Sequence, residues 1–415
     1  MKKSILYIVN FYGTAPLNYF EKYVRESNVA GITVLKLPAV RLRKNRLEIH
    51  AFIKDEDGKF HQSNHNLFFP FPHFLVFLVQ YAINFFLLFS LLSKIKRRKF
   101  DIIIGETNFG GAAAFLLKKI SKASFSVFFN GDIIPDPAWS KNCFFLPNNG
   151  RTGFIYKHMD NMLINLQSFL RSIAYKNNLV WFASEKIADL DSEKHLKNRK
   201  NMINDPILID QLTTVEYVTA PKKMDTLCYI GRIDDYVGLD VIIPALKIIK
   251  KTIPDIRLLI IGGNDIVFEK YKRLAKENGV LDRIVFYGFI PEMEKALAIM
   301  SRCALGVALY KPVKDNVSLY TQPGKPKDYI MAGLPVLLTK NGPDIGKQIV
   351  QYKAGVESDF DIRSVANVIS MVLTNTNFYH TLLKGTLKFA KAYDYRVRFK
   401  KISEELFRMI YDTKL

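Results

Sequence analysis

In the run Gln322-Pro-Gly-Lys-Pro-Lys-Asp-Tyr-Ile-Met-Ala-Gly-Leu-Pro-Val336, a lysine and a carboxylate open an amphipathic segment. Pro323 and Gly324 form a turn ahead of it, and Ala332-Gly-Leu-Pro335 closes it before an apolar strand. The pattern predicts a short helix starting at the turn. A helix N-terminus gathers unpaired backbone N–H groups and carries partial positive charge, so it suits a phosphate. Lys325 adds a full cation there, and Asp328, one turn on, can accept hydrogen bonds from both hydroxyls of a ribose. A diphosphate and a ribose one helical turn apart describe a nucleotide. The same residues also fit a plain turn, a solvated lysine and a first-turn acid complementing the helix dipole. The rest of the chain has to decide.

Three further segments carry site chemistry. Tyr229-Ile-Gly231-Arg232-Ile-Asp-Asp-Tyr-Val-Gly238 follows an apolar strand and opens a helix. Gly231 permits a tight turn, and Arg232 can set a fixed fork of donors on a diphosphate. Leu258-Leu-Ile-Ile-Gly262-Gly263 ends a strand in a glycine pair, where a ligand can approach the backbone. Val285-Phe-Tyr-Gly288-Phe289-Ile290-Pro291 ends another with main-chain groups free to read a base edge. Each signal alone is weak; their order and spacing are not.

These segments need elements to position them. Short apolar runs alternate with longer amphipathic stretches along the whole chain, the pattern of βα units and parallel sheets. Strands are expected near 4–10, 32–37, 101–105, 124–129 and 179–183. A second set lies near 227–230, 256–261, 283–286, 305–309 and 335–338. The fold class is α/β: two Rossmann-like domains in series, with a ligand at the carboxyl ends of strands and in the cleft between the domains. The expected division is 1–220, 225–390 and a terminal helix over 391–415, with Pro221-Lys-Lys-Met224 as linker. Phe399, Ile402, Leu406 and Ile410 form the apolar face of that terminal helix.

The 415 residues are 49% hydrophobic, enough material for two cores. The three cysteines, Cys143, Cys228 and Cys303, stand far apart, which excludes a disulfide framework and a cysteine zinc site and suits a reducing cytosol. The histidines show no metal-ligand spacing. Asp55-Glu56-Asp57-Gly58 lies between two alternating segments and reads as a hairpin turn, so no metal site is assigned. After Met1-Lys2-Lys3 the apolar run is too short for a signal peptide, so a first strand is expected and export is not.

Sixty Lys and Arg against 39 Asp and Glu give a formal charge of +21. That fits an anionic partner, and no nucleic-acid motif is present. Leu67 to Ser93 holds no acid, lysine or arginine, and Lys94-Ile-Lys96-Arg97-Arg98-Lys99 follows it. A single crossing of a bilayer by 73–93 would place strands of one sheet on opposite sides. Two readings remain: a helix partly in the lipid interface with its basic cluster on anionic headgroups, or a wholly buried crossover helix.

Together, Gly231-Arg232-Ile233, Gly288-Phe289-Ile290-Pro291 and Pro323 through Val336 resemble the carboxyl-terminal domain of family 4 glycosyltransferases of the GT-B fold. The resemblance is specific over about residues 226–340 and elsewhere extends to layout. It implies a GT-B architecture whose terminal helix returns to the first domain. It also implies that Arg232 and Lys325 hold a donor diphosphate with Gly231 and Gly263 beside them. Pro323, Gly324 and Tyr329, from the same helix-start motif, are implied to line the donor site. By the same resemblance Asp328 holds the ribose, the Phe289–Ile290 backbone meets the base, and a Gly13-containing loop approaches the diphosphate. The chain departs from the family in four places. Val237 stands where a lysine is usual; Asp328 replaces a glutamate; Tyr320 replaces the earlier acid; and Phe129-Asn130-Gly131-Asp132 replaces a segment that often carries a histidine. Asp132 either orients sugar or acceptor, or is a turn residue.

The activity so implied is transfer of a sugar from a nucleotide-diphosphate donor to a saccharide or lipid-linked acceptor. Retention, no cofactor and no metal are expected, in cell-surface polysaccharide or lipopolysaccharide synthesis, with the enzyme peripheral on the inner face of the membrane. The alternatives are a GT-B nucleotide-sugar epimerase and a non-catalytic GT-B-like membrane or glycan-enzyme partner.

Overall fold

The computed structural model describes residues 3–10, 15–43, 46–54, 60–68, 82, 84, 99–121, 123–131, 154–195, 202–204 and 208–412. The chain divides into two compact units, Met1–Pro206 with Phe399–Leu415, and Ile207–Arg398.

The first unit carries strands β1 (Lys3–Asn10), β2 (Ala30–Arg43), β3 (Arg46–Lys54), β4 (Phe60–Phe68), β5 (Ile102–Glu106), β6 (Phe125–Asn130), β7 (Leu179–Phe182) and β8 (Met202–Asn204). They form one sheet in the order β4-β3-β2-β1-β5-β6-β7-β8. From β2 to β8 neighbouring strands are parallel, while β3 and β4 add antiparallel at the edge. Every residue of β5, β6 and β7 is buried, as parallel strands covered on both faces must be. The helix Thr107–Ser121 lies close on this sheet because its inner face is small, from Gly110 to Ala114. Lys54 faces Phe60 across the antiparallel β3–β4 pair, and the hairpin turn expected at 55–58 lies outside the described residues.

The second unit carries β9 (Lys223–Ile230), β10 (Arg257–Ile261), β11 (Ile284–Gly288), β12 (Cys303–Ala308), β13 (Val336–Thr339) and β14 (Gly355–Ser358). The sheet is parallel throughout in the order β11-β10-β9-β12-β13-β14. This is the doubly wound Rossmann order, whose chain reverses direction of growth between β9 and β12. Leu227, Tyr229, Leu258, Ile260, Leu305 and Val307 turn one sheet face into a core with Ile242, Leu246, Val365 and Ile369 from the covering helices.

Two boundaries differ from those expected. The segment 207–220 belongs to the second unit, so Pro221–Met224 is not a linker, and Lys223 already starts β9. The helix Gln211–Val218 is pinned there: a Cβ at Gly333 would lie 2.5 Å from the Val218 backbone. Arg396 also bridges Asp210 and Asp394 at 3.3 and 2.9 Å. The tail is not one helix. Thr376–Ala392 ends at Tyr393, and Tyr395–Asp412 starts anew because the Asp394 carboxylate caps the Arg396 N–H at 2.9 Å. Its expected apolar face is buried, with Phe399 packed edge-on against Phe20 and Trp181 in the first unit.

The apolar stretch 73–93 lies outside the described residues apart from Ala82 and Asn84, as does 94–98. Among the described residues no helix is long and apolar enough to cross a membrane.

Candidate functional site

The loops after β9 and β12 leave the sheet at its switch point, where a doubly wound sheet opens a crevice. Three strand exits are laced together there by backbone bonds. The Gly231 N–H donates to Ile261 O at 2.9 Å, and the Gly262 N–H to Gly288 O at 2.7 Å. Gly231 and Gly262 hold φ of +112° and +114°, which side chains other than hydrogen resist. A Cβ on Gly262 would meet the Gly231 carbonyl oxygen at 2.2 Å. That glycine serves strand-to-strand approach, whereas a Cβ on Gly231 would press on the Lys325 side chain at 3.3 Å.

Lys325 sits in the first turn of the helix Gly324–Met331, whose N-cap, Pro323, supplies no side-chain cap. The Gly324 and Lys325 N–H groups are thus open to a ligand; Pro326 contributes none. The Lys325 ammonium stands 5.0 Å from the Tyr229 ring centre and 5.7 Å from that of Tyr310, and it donates to the Arg232 carbonyl at 3.5 Å. Burial lowers its pKa to about 8 against the pull of Asp234 and Asp328, with Arg232 adding to the fall. Arg232 reaches outward, its side chain 81% exposed, and both Nε and Nη2 bond the Asp234 carboxylate at 2.8 Å.

Asp328 is half-buried, and burial raises its carboxyl to about 7, while Lys327 and Lys325 pull it down. Among the described residues no group donates a hydrogen bond to its carboxylate. Lys327 beside it is 5% exposed, donates to Gln322 O at 3.3 Å, and is lowered to about 8 by the same burial. A carboxylate so desolvated gains strongly from paired hydroxyl donors.

The structure thus brings Gly231, Arg232, Lys325 and Asp328 together. Pro323 and Gly324 flank them. Phe289, 76% exposed, and half-buried Ile290 follow β11. Gly263 packs inward, where a Cβ would lie 2.7 Å from Ile233, so its small size serves the loop rather than a ligand. Tyr329 is also corrected: it is fully buried, and its hydroxyl accepts from Ile230 N–H and donates to Val307 O, both at 3.0 Å. It ties β9 to β12 from beneath the site. Val237, in the place of a family lysine, is buried in the core and leaves Lys325 as the cation over the tyrosines. Gly13 and Asp132 lie outside the described residues.

Sequence reasoning missed Asp234 and Tyr310. Tyr310 follows the apolar run of β12, a position that a doubly wound sheet presents to ligands, and among the described residues its buried hydroxyl has no hydrogen-bond partner. In the first unit it also missed Thr107, a β-branched residue held at φ +65° where β5 turns into the next helix. Such strain collects at functional sites.

A pH profile follows from the two shifted groups. Asp328 accepts ribose hydroxyls best when ionised, above about 7, and Lys325 keeps its charge below about 8. Nucleoside diphosphate affinity should peak between those values and fall about tenfold per pH unit beyond either limb. Calorimetric titration from about pH 6 to about pH 9 tests this. Asp328→Asn should remove the acid limb at about 7, and a flat wild-type profile would contradict the assignment.

Residues 213–387 match the family model described as glycosyl transferases group 1. No curated protein matches the chain. Solved structures do, over nearly the whole length. A glycosyltransferase from Rickettsia africae shares 12% identity at a TM-score of 0.67, covering 99% of each chain. Sucrose-phosphate synthase from Thermosynechococcus elongatus shares 12% at 0.65, covering 98% of this chain and 100% of its own. HepE from Anabaena, solved in complex with UDP, shares 13% at 0.61, with 98% and 100% covered. WaaG, a glycosyltransferase involved in lipopolysaccharide biosynthesis, shares 12% at 0.60, with 97% and 98% covered. The chain has the fold of the GT-B glycosyltransferases, and residues 213–387 are similar in sequence to the group 1 glycosyl transferases.

Proposed function

We propose that this protein is a retaining, family 4-type glycosyltransferase. It would move a sugar from a nucleoside-diphosphate donor to a saccharide or lipid-linked acceptor, in the synthesis of a cell-surface glycan. The observation that carries the reading is the grouping of Arg232, Lys325 and Asp328 at the switch point of the second sheet. The HepE structures hold UDP or UDP-glucose, which makes UDP-sugars the first donors to try.

The chemistry suits those side chains. Breaking the anomeric C–O bond leaves growing negative charge on the diphosphate and an oxocarbenium-like sugar. Cations and a helix N-terminus aimed at the diphosphate stabilise that state more than the intact donor. In this reading the chain's own cations do the work that a divalent metal does elsewhere, so no metal is required. Asp328 fixes the ribose, and the 289–290 backbone reads the base. On the acceptor side, strained Thr107 marks the carboxyl end of β5, and Asp132 is retained as a candidate to orient sugar or acceptor.

The acceptor class and the peripheral membrane site rest on the sequence from Leu67 to Lys99 and on the +21 charge. Replacing Lys94, Lys96, Arg97 and Arg98 with glutamine should release the protein from anionic phosphatidylglycerol vesicles. It should also lower transfer to a lipid-linked acceptor while sparing hydrolysis of the donor. Vesicle binding as tight as wild type would count against the interfacial reading. One observation favours a non-catalytic relative instead: Val237 buries an aliphatic side chain where the family places a lysine. Sugar transfer in a purified assay, abolished by Lys325→Ala, excludes that reading.

A further inference from the structure

Arg232 does not wait free for a diphosphate. Its Nε and Nη2 both rest on one oxygen of Asp234 at 2.8 Å, and the guanidinium is otherwise turned to solvent. Asp234 is the fixed partner of the two. Its other carboxylate oxygen accepts the Tyr236 N–H at 2.9 Å, and its main-chain carbonyl accepts the Tyr271 hydroxyl at 3.2 Å. The loop it belongs to is tied down further: Tyr236 donates its hydroxyl to Asp315 at 2.8 Å, and its carbonyl accepts the Lys311 N–H at 2.9 Å. The anchored carboxylate lies in the loop entering the helix Leu239–Ile249, on the same strand exit as Gly231.

We propose that Asp234 is a clasp that occupies Arg232 in the empty site, competes with the donor diphosphate for it, and takes it back when the nucleoside diphosphate leaves. The inference rests on the donor-site reading given above. A carboxylate is a weaker partner than a diphosphate, which presents more charge and more acceptor oxygens to the same fork. The exchange therefore runs toward bound donor. After transfer, the clasp lowers the affinity for the product that must depart, and product release is a common limit on turnover. An ion pair this exposed is easily opened, so it tunes binding without blocking it.

The test is a double-mutant cycle on the full-length protein, titrated with UDP, GDP, ADP and CDP. Asp234→Asn keeps an oxygen for the Tyr236 N–H, and Asp234→Ser does the same with a smaller side chain should the first variant melt early. Asp234→Asn should bind the preferred nucleoside diphosphate about three- to tenfold more tightly than wild type. With acceptor saturating and donor varied, its kcat should fall and its donor KM should fall too. The affinity gain should shrink to less than twofold in an Arg232→Ala background. A site residue with a merely structural role would weaken binding. Unchanged or weaker binding by Asp234→Asn overturns the clasp, as does an equal gain when Arg232 is absent. Binding of none of the four nucleotides by wild type overturns the donor-site reading, and the clasp with it.

Discussion

Lys325→Ala and Arg232→Ala should each lower turnover by about 100-fold or more, the usual cost of removing one preorganised donor from developing negative charge. The two cations differ in how they are held, and the variants should differ accordingly. Lys325 is a confined point charge, within reach of the Tyr229 and Tyr310 rings and lying against Gly231. Lys325→Arg brings a longer, planar group into that confinement and should recover only part of the rate. Arg232 is exposed and can swing, so Arg232→Lys should retain binding better than it retains turnover, since a single ammonium cannot make the paired contact. The thermal midpoint of Arg232→Ala should stay close to wild type, because that side chain is exposed and contributes nothing to the core. Near-normal turnover in both would remove the donor-site assignment.

Asp328→Ala should weaken nucleoside diphosphate binding by about 100-fold or more, from the loss of two hydrogen bonds to a charged acceptor. The same change should stabilise the empty protein. The carboxyl is raised from 3.8 to about 7 by burial, so the folded chain holds its proton where the unfolded chain has lost it. Stability associated with this group is therefore complete below about pH 4 and is lost as pH rises through about 7. Near pH 8 the ionised carboxylate costs the fold about 1 to 3 kcal/mol, and replacing it lifts the thermal midpoint. The gain should vanish as pH falls toward 4. A residue that weakens the fold and strengthens the ligand complex is a binding residue.

Most parallel strands of both sheets were readable because buried parallel strands are short apolar runs, as Ile102–Glu106 and Cys303–Ala308 show. The edge strands β8 (Met202–Asn204) and β14 (Gly355–Ser358), three and four residues long, were not expected. The grouping of Gly231, Arg232, Lys325 and Asp328 was legible too, since these residues stand beside turn signals that fix where helices begin. What stayed hidden depends on contacts distant in sequence. Nothing in the composition of 207–220 marks it for the second unit; Gly333 and Arg396, far along the chain, do that. The break before Tyr395 escaped notice because apolar spacing continues from Phe389 to Phe399 across the Asp394 cap. Tyr329 read as a ligand contact because it belongs to the 323–336 motif, yet a helix turns neighbouring side chains about 100° apart, and this one points into the sheet. Its ring also dictates Gly306, where a Cβ would lie 2.2 Å from it. Tyr310 and Asp234 join the site only once β12 is placed next to β9.

The central claim is that the switch point of the second sheet binds a nucleoside diphosphate through its phosphates and its ribose. Titrating the purified protein with UDP, GDP, ADP and CDP beside Asp328→Ala tests it most directly. The account predicts micromolar binding selective for one of the four, tightest between about pH 7 and about pH 8, and lost in the variant. Binding of none of them, or binding that Asp328→Ala leaves intact, would contradict it.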